Sequence, residues 1–339
     1  MAPLVSLIIN CFNQGRYLER SVKSVLAQTF TDIECLIVDD GSTDNTRQVA
    51  EYLMNLDPRV KYYFKENGGL PAARNFGIKQ AEGEWIQCLD ADDWIHEDKI
   101  QFQLNHIPEF GKENIVFYCD YERVLIDKSE NIVDTQENII GSLTSDQFIQ
   151  RLLIPDFLAG TPHPALQQCM LMHRSIFTNH CWDERLKALG DRYFAVDILR
   201  KGVKFIYTPI VGAFYTKHQS NRTNNWSYMK NYYLLFYETV YQHHQELAKL
   251  CPPGTNYLLE ESIREKEQDN FNRLLKIAQP PFEICEKKIH LHQVSLVKLF
   301  YAIRLMLPNF ILYEKYRGPR SKKLISLFSQ LLHLKASHS

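Results

Sequence analysis

The sequence predicts an α/β fold, a mostly parallel sheet with flanking helices, followed by C-terminal accessory helices. From Val5 to about residue 120, short apolar runs alternate with segments of helical period. Polar clusters recur where the apolar runs end, which is where parallel sheets place their ligands. After Gly212 the chain turns Tyr-rich and then Glu/Lys-rich, with breaks at Pro252-Pro253-Gly254 and Pro280-Pro281 that read as joints between helices.

Val5-Ser6-Leu7-Ile8-Ile9 reads as a buried strand, and Tyr17 to Gln28 as a helix with Leu18, Val22, Val25 and Leu26 on one face. Glu34 to Val38 is the second expected strand, and Asp44 to Met54 the next helix, with Ser42 or Asp44 available as its cap. Val60 to Phe64 is a third strand, Ala72 to Ala81 a helix, and Trp85 to Leu89 a fourth strand running into Asp90-Ala91-Asp92-Asp93. Such a succession builds βαβ units.

The 339 residues are 45% hydrophobic and 23% charged, enough apolar material to exclude a disordered chain or a mini-protein. The most apolar stretch, Val294 to Leu312, is interrupted by Lys298, Arg304 and Pro308, so no spanning helix is predicted. Met1 leads into strand-like sequence without a basic preamble, so no cleaved signal is expected and the protein is expected to be cytoplasmic. From Lys287 to Ser339 the net charge is +9, leaving -10 on the remainder. An acidic body excludes nucleic acid as a partner, whereas the basic tail suits either an ordinary solvated helix or peripheral contact with the inner face of an anionic membrane. The eight cysteines contain no C-x-x-C pair, and Cys169, His173, His180 and Cys181 lack zinc-site spacing, so structural, reduced thiols are expected.

Crowded carboxylates in the strand-end loops repel one another unless a divalent cation sits among them, and oxygen ligands beside a diphosphate suit Mg²⁺ or Mn²⁺. The bland alternative is that Asp92 or Asp93 caps a helix starting near Glu97. The loop Glu66 to Asn75 supplies glycines, a proline and a helix start carrying Arg74, a setting that faces phosphate or positions the aspartates. There is no G-x-x-x-x-G-K-[ST], and the first strand leads into Asn10-Cys11-Phe12-Asn13 rather than G-x-G-x-x-G, so P-loop and dinucleotide chemistry are excluded.

Over roughly the first 220 residues these motifs resemble the inverting glycosyltransferases of family two, whose catalytic domain has the GT-A fold. The resemblance is carried by Asn13-Gln14-Gly15-Arg16-Tyr17-Leu18, Val38-Asp39-Asp40-Gly41-Ser42-Thr43-Asp44, Gly69 to Gly77 with Ala73-Arg74-Asn75, Ala81 to Ile86, and Asp90-Ala91-Asp92. It implies a catalytic domain over 1-220 and a helical extension over 221-339. It also implies a nucleotide-sugar donor, UDP-linked by analogy, a glycan, lipid-linked or other hydroxyl acceptor, and a role in surface polysaccharide biosynthesis. Donor binding is then assigned to Asn10, Phe12, Asn13, Asp40, Arg74, Asp90 and Asp92, with Asp40 on the base, Asp90 near the ribose, and Asp92 on the metal. His218 stands where some members have a second metal ligand, although a lone loop histidine is as often inert; the other histidines, His163 included, lack supporting context.

Asp191 corresponds to the family's general base, but Gly190 replaces the usual preceding Glu, which leaves a degenerate sugar-nucleotide binder or scaffold as the competing expectation. Asn10 and Phe12 are milder departures from Pro and Tyr. A sugar-1-phosphate nucleotidyltransferase is disfavoured because its glycine-rich first loop is missing. Asp156 to Arg174 resembles the acceptor-side wall, and the aromatic run Tyr228 to Tyr241 suits core or membrane-surface packing better than sugar stacking.

Overall fold

The computed structural model describes residues 3–109, 111–164, 166–284 and 289–306. The sequence-predicted alternation appears as β1 (Val5–Cys11), α1 (Gly15–Leu26), β2 (Ile33–Asp39), α2 (Thr46–Leu56), β3 (Val60–Phe64), α3 (Leu70–Gln80) and β4 (Trp85–Asp90). Next come β5 (Trp94–Ile95), α4 (Lys99–Leu104), β6 (Ile115–Ile126), β7 (Ile132–Asn138), α5 (Ser145–Leu153), α6 (Asp156–Ala159), β8 (Met170–His173), α7 (Gly190–Arg200), β9 (Lys204–Lys217) and α8 (Trp226–His243).

The strands pair in the order β3-β2-β1-β4-β8-β6-β9-β5, with β7 added to β6. The first four are parallel, as the βαβ pattern requires, and β8 and β7 introduce antiparallel pairing farther along the sheet. β1 and β2 are buried along their whole length, which accounts for their continuous apolar runs. Gly77 lets α3 lie directly on them: a Cβ at that position would stand 2.5 Å from Ile8 Cγ2.

Two features of this topology build a site. The connection leaving β1 runs to β2 on one side, while β4 lies on the other, so a crevice opens at the carboxyl ends of the strands. Register then sets Asn10 beside Asp90 and Cys11 beside Asp39. The two-residue β5 pairs antiparallel with β9, Trp94 opposite Phe214, and so carries the Asp90–Asp93 loop alongside the end of β9. Their rings stack at 5.1 Å.

By its contacts the chain forms two compact units, one ending at Phe236 and the next beginning at Tyr237. The second holds α9 (Pro252–Glu265), α10 (Gln268–Ile277), an antiparallel hairpin of β10 (Phe282–Ile284) and β11 (Ile289–Leu291), and α11 (Val294–Met306). Pro252 opens α9, where its missing N–H costs no helix bond. The hairpin was not part of the all-helical expectation: its strands are three residues long, too short for a period to register. No described helix is long and apolar enough to cross a membrane. The tail beyond Met306, and with it most of the basic segment, lies outside the described residues.

Candidate active site

A cleft of about 1130 Å³ opens at the carboxyl ends of β1 and β4, and it brings together every residue singled out from the sequence: Asn10, Phe12, Asn13, Asp40, Arg74, Asp90, Asp92, Asp191 and His218 all line it.

The loop after β2 organises itself largely through its own acidic side chains. Asp39 accepts from Ser42 N–H at 2.8 Å and from the Tyr62 hydroxyl at 2.8 Å. Asp40 accepts from Lys65 Nζ at 2.6 Å and from the backbone N–H groups of Gly68 and Gly69 at 2.9 and 2.7 Å. Gly69 holds φ at 92°, a left-handed value that points its N–H at Asp40 without a Cβ penalty. Asp44 joins the starts of two helices, accepting from Gly15 N–H and from Thr46 N–H, both at 3.0 Å. Asn13 completes the cross-link: its N–H donates to Ser42 Oγ, and its Oδ1 accepts from Thr43 N–H. The carboxylates of this loop are therefore met by backbone amides, hydroxyls and the Lys65 ammonium.

The loop after β4 is different. Asp92 Oδ2 lies 3.0 Å from His218 Nε2, and both side chains are nearly buried. Ser220 Oγ is 2.9 Å from His218 Nδ1, and the Tyr17 ring stacks on the imidazole at 5.0 Å, so the histidine is oriented from three directions. Asp93 accepts from Thr216 N–H at 2.7 Å, and the Asp92 carbonyl accepts from Thr216 Oγ1 at 2.5 Å and Arg20 Nη2 at 2.8 Å. Neither aspartate caps α4, whose N-cap position is Asp98. Thr216 and Arg20 were missed in the sequence. Arg20 sits one helical turn after Tyr17, and that spacing was the available signal.

Arg74 ties the third element in. It is buried at the start of α3, donates to Asp90 Oδ1 at 3.1 Å, and leaves its Nε without a partner among the described residues. Burial raises the Asp90 carboxyl above its ordinary range, with Asp92 adding to the rise and Arg74 opposing it. The next residue, Asn75, donates to the Trp182 carbonyl at 2.9 Å and accepts from its N–H at 2.9 Å. Trp182 in turn stacks on Phe194 of α7 at 4.4 Å. One helix thus fixes both the Asp90 strand and the segment leading to Asp191, which lies in the first turn of α7.

Arg192, beside Asp191, is buried and pairs with Asp156 at 2.7 Å while donating to the carbonyls of Leu152 and Ile154. His163, read as uninformative in the sequence, is buried in this part of the cleft; burial lowers its pKa, Arg192 lowers it further, and Asp156 and Asp191 oppose. No local pattern marks it, since its neighbours come from α6 and α7.

Asp92 and His218 offer a carboxylate oxygen and an imidazole nitrogen side by side, the kinds of donor a divalent cation such as Mn²⁺ would take. Among the described residues no three His, Cys, Asp or Glu side chains converge on one point, so the chemistry of a fit rests on these two donors alone.

The family model for glycosyl transferase family 2 matches residues 6–179, just over half of the chain. The chain belongs to glycosyl transferase family 2. An uncharacterized family relative from Rickettsia typhi is 31% identical over 192 residues, covering 56% of this chain and 57% of that protein. Glycosyltransferase GlyG of Streptococcus pneumoniae is 39% identical over 124 residues, 36% of this chain and 41% of that one. The match thus spans little more than half of the first relative and less than half of the second. Among solved structures, S. aureus TarS in complex with UDP-GlcNAc superposes with a TM-score of 0.60 at 17% identity, over 94% of this chain and 92% of that one. A mannosyltransferase from Pyrobaculum calidifontis in complex with GDP-Man and Mn²⁺ gives 0.54 at 13% identity, over 98% and 86%. These similarities agree with the sheet order in making this family 2 chain a GT-A fold.

Proposed function

We propose that this family 2 domain transfers a sugar from a nucleotide-diphosphate sugar, UDP-linked, to an acceptor hydroxyl with inversion, in the biosynthesis of a surface glycan. The observation that carries this reading is the Asp92–His218 pair at 3.0 Å in the same cleft as Asp191. A mixed carboxylate and imidazole set favours Mn²⁺ over Mg²⁺. Bound there, such a cation would stabilise the charge that grows on the departing diphosphate.

The protein's own groups do the rest. Asp40 and Asn13 shape the loop assigned to the base, Asp90 is assigned to the ribose, and Arg74 holds Asp90 in place. Asp191 takes the proton of the acceptor hydroxyl as that oxygen bonds to the anomeric carbon. The bond from that carbon to the diphosphate oxygen breaks, and its electron pair leaves with the nucleotide. A single displacement needs no protein nucleophile.

Incubating the protein with UDP- and GDP-sugars and Mn²⁺ tests this: nucleoside diphosphate is released from one of them, and chelator stops the release. The scaffold reading, favoured by Gly190, requires binding without release.

A further inference from the structure

One wall of the cleft is a sheet face built by β6, β7 and β9. Register places Arg123 of β6 beside Tyr215 of β9, and Leu125 beside Lys217. Side chains two apart on a strand share a face, so Arg123, Tyr215 and Lys217 project together, and the Lys217 ammonium stands 5.0 Å from the Tyr215 ring centroid. All three line the cleft. Thr216, between them in the chain, takes the other face and reaches the Asp92 carbonyl.

Two cations side by side repel unless an anion joins them. Arg123 donates to Gln136 Oε1, its partner across β7, and Lys217 donates to Thr223 Oγ1 at 2.9 Å. Both acceptors are neutral. Among the described residues neither cation has a carboxylate partner. Glu137 of β7 contributes to the cleft too, but it stands opposite Glu122 in the register and pairs with neither cation. A guanidinium carries five N–H donors and an ammonium three, so most of them stay available to a ligand.

The pair lies within reach of both ends of the proposed reaction. Burial lowers the Lys217 pKa and Arg123 lowers it further, whereas Asp93, Asp92 and Asp156 oppose. Lys217 thus feels the aspartates of the β4 loop and also Asp156, the partner of Arg192 beside the base. Arg222 is a different case: it acts on Asp90, on the donor side. The cleft volume, about 1130 Å³, exceeds the roughly 300–1,000 Å³ that one small ligand occupies, which leaves room for a second molecule beside a donor.

The charge selects that molecule. A neutral sugar would leave both cations uncompensated, whereas an oxyanion meets the planar fork of Arg123 with two oxygens and the point charge of Lys217 with another. The donor diphosphate is itself such an anion, but its charge is assigned to the cation at Asp92 and His218.

We infer that Arg123 and Lys217 form an oxyanion subsite that selects an acceptor bearing a negative charge, a carboxylate or a phosphate group. The inference rests on the glycosyl-transfer reading and adds the charge class of the acceptor.

The probes are methyl glucoside, methyl glucuronide and methyl glucoside phosphorylated at its primary hydroxyl, each titrated into the protein by ligand-observed NMR with UDP and Mg²⁺ present. At least one acidic probe is expected to bind about tenfold more tightly than the neutral one, and the tighter of the two distinguishes carboxylate from phosphate. Arg123→Gln and Lys217→Gln each remove most of that preference, while Arg123→Lys and Lys217→Arg keep most of it. Salt at about 0.5 M weakens the acidic probe and not the neutral one. Lys79→Gln, an exposed lysine of α3 outside the cleft, changes nothing. UDP affinity stays within about twofold throughout, and thermal unfolding shows that each variant is folded. Equal or absent binding of charged and neutral probes by the wild type, an unchanged preference in both glutamine variants, or UDP affinity falling in step with them overturns the subsite while leaving glycosyl transfer standing. Absence of nucleoside diphosphate release from every UDP- and GDP-sugar with Mn²⁺ overturns the transfer reading, whatever the probes do.

Discussion

Asp92 and His218, 126 residues apart in the chain, meet with Oδ2 and Nε2 3.0 Å from each other. Their meeting is set by the sheet: β5 pairs with β9, and Thr216 binds both the Asp92 carbonyl and the Asp93 carboxylate, so the two loops are locked in one register. Tyr17 and Arg20, on one face of α1, support the pair from a third side.

Replacement of the base should separate chemistry from binding. Asp191→Asn keeps the shape of the first turn of α7 but removes the group that takes the acceptor proton. Transfer is expected to fall about 10²–10⁴-fold. The affinity for the nucleotide sugar, measured by calorimetry with Mn²⁺, stays within a few-fold of wild type. Near-normal turnover would remove Asp191 from the role of base.

Gly190 stands where the family resemblance implies a Glu, and the backbone there tolerates a Cβ. A Cβ would lie 3.6 Å from Pro71 Cγ and 3.8 Å from Leu186 Cβ, which is ordinary contact. Replacing a glycine at a position without strain stabilises by roughly 0.4–1 kcal/mol through the unfolded chain. Gly190→Ala should therefore raise the melting temperature by a degree or more and leave transfer near the wild-type rate, as calorimetric scanning and the release assay would read out.

Gly77 gives the opposite sign. Alanine favours the helix by about 1 kcal/mol, but its Cβ would stand 2.5 Å from Ile8 Cγ2 and 3.1 Å from Val38 Cγ2 inside the sheet–helix interface. Overpacking of that kind costs about 1–3 kcal/mol. Gly77→Ala is expected to lower stability in urea unfolding, because the clash outweighs the propensity.

At the other end of the sheet, Glu34 is buried and accepts from Ser6 Oγ at 2.5 Å, Lys61 Nζ at 2.8 Å and Glu82 N–H at 2.7 Å. Burial alone would raise its pKa, but Lys61, Ser6 and the Glu82 amide together lower it. A depressed folded pKa means stability that is complete above the ordinary glutamate value, near 4.3, and is lost as pH falls through the lower folded value. Glu34→Gln should cost about 1–3 kcal/mol at pH 7. The gap between wild type and variant should shrink below about pH 4.5 when melting temperature is followed against pH.

The parallel half of the fold was legible because each of its elements is local: β3 begins and ends where the apolar run does, and β1, β2 and β4 overrun their predicted ends by two residues or fewer. Positions in the cleft were legible where they follow such strands, as Asn10, Asp40 and Asp90 do. What stayed hidden is non-local. Nothing near Thr216 announces that it binds Asp92 and Asp93, and nothing near His163 announces Arg192 and Asp191. Asp40 shows the converse limit, since a motif marked the residue but not the clamp of Lys65, Gly68 and Gly69 that holds its carboxylate.

The most direct test of the central claim is calorimetric titration of UDP into the wild-type protein and into Asp92→Asn and His218→Ala, each with and without Mn²⁺. Wild type should bind UDP at least tenfold more tightly with the metal than without it, and both variants should lose that enhancement. Equal enhancement in all three proteins would contradict a metal seat on Asp92 and His218.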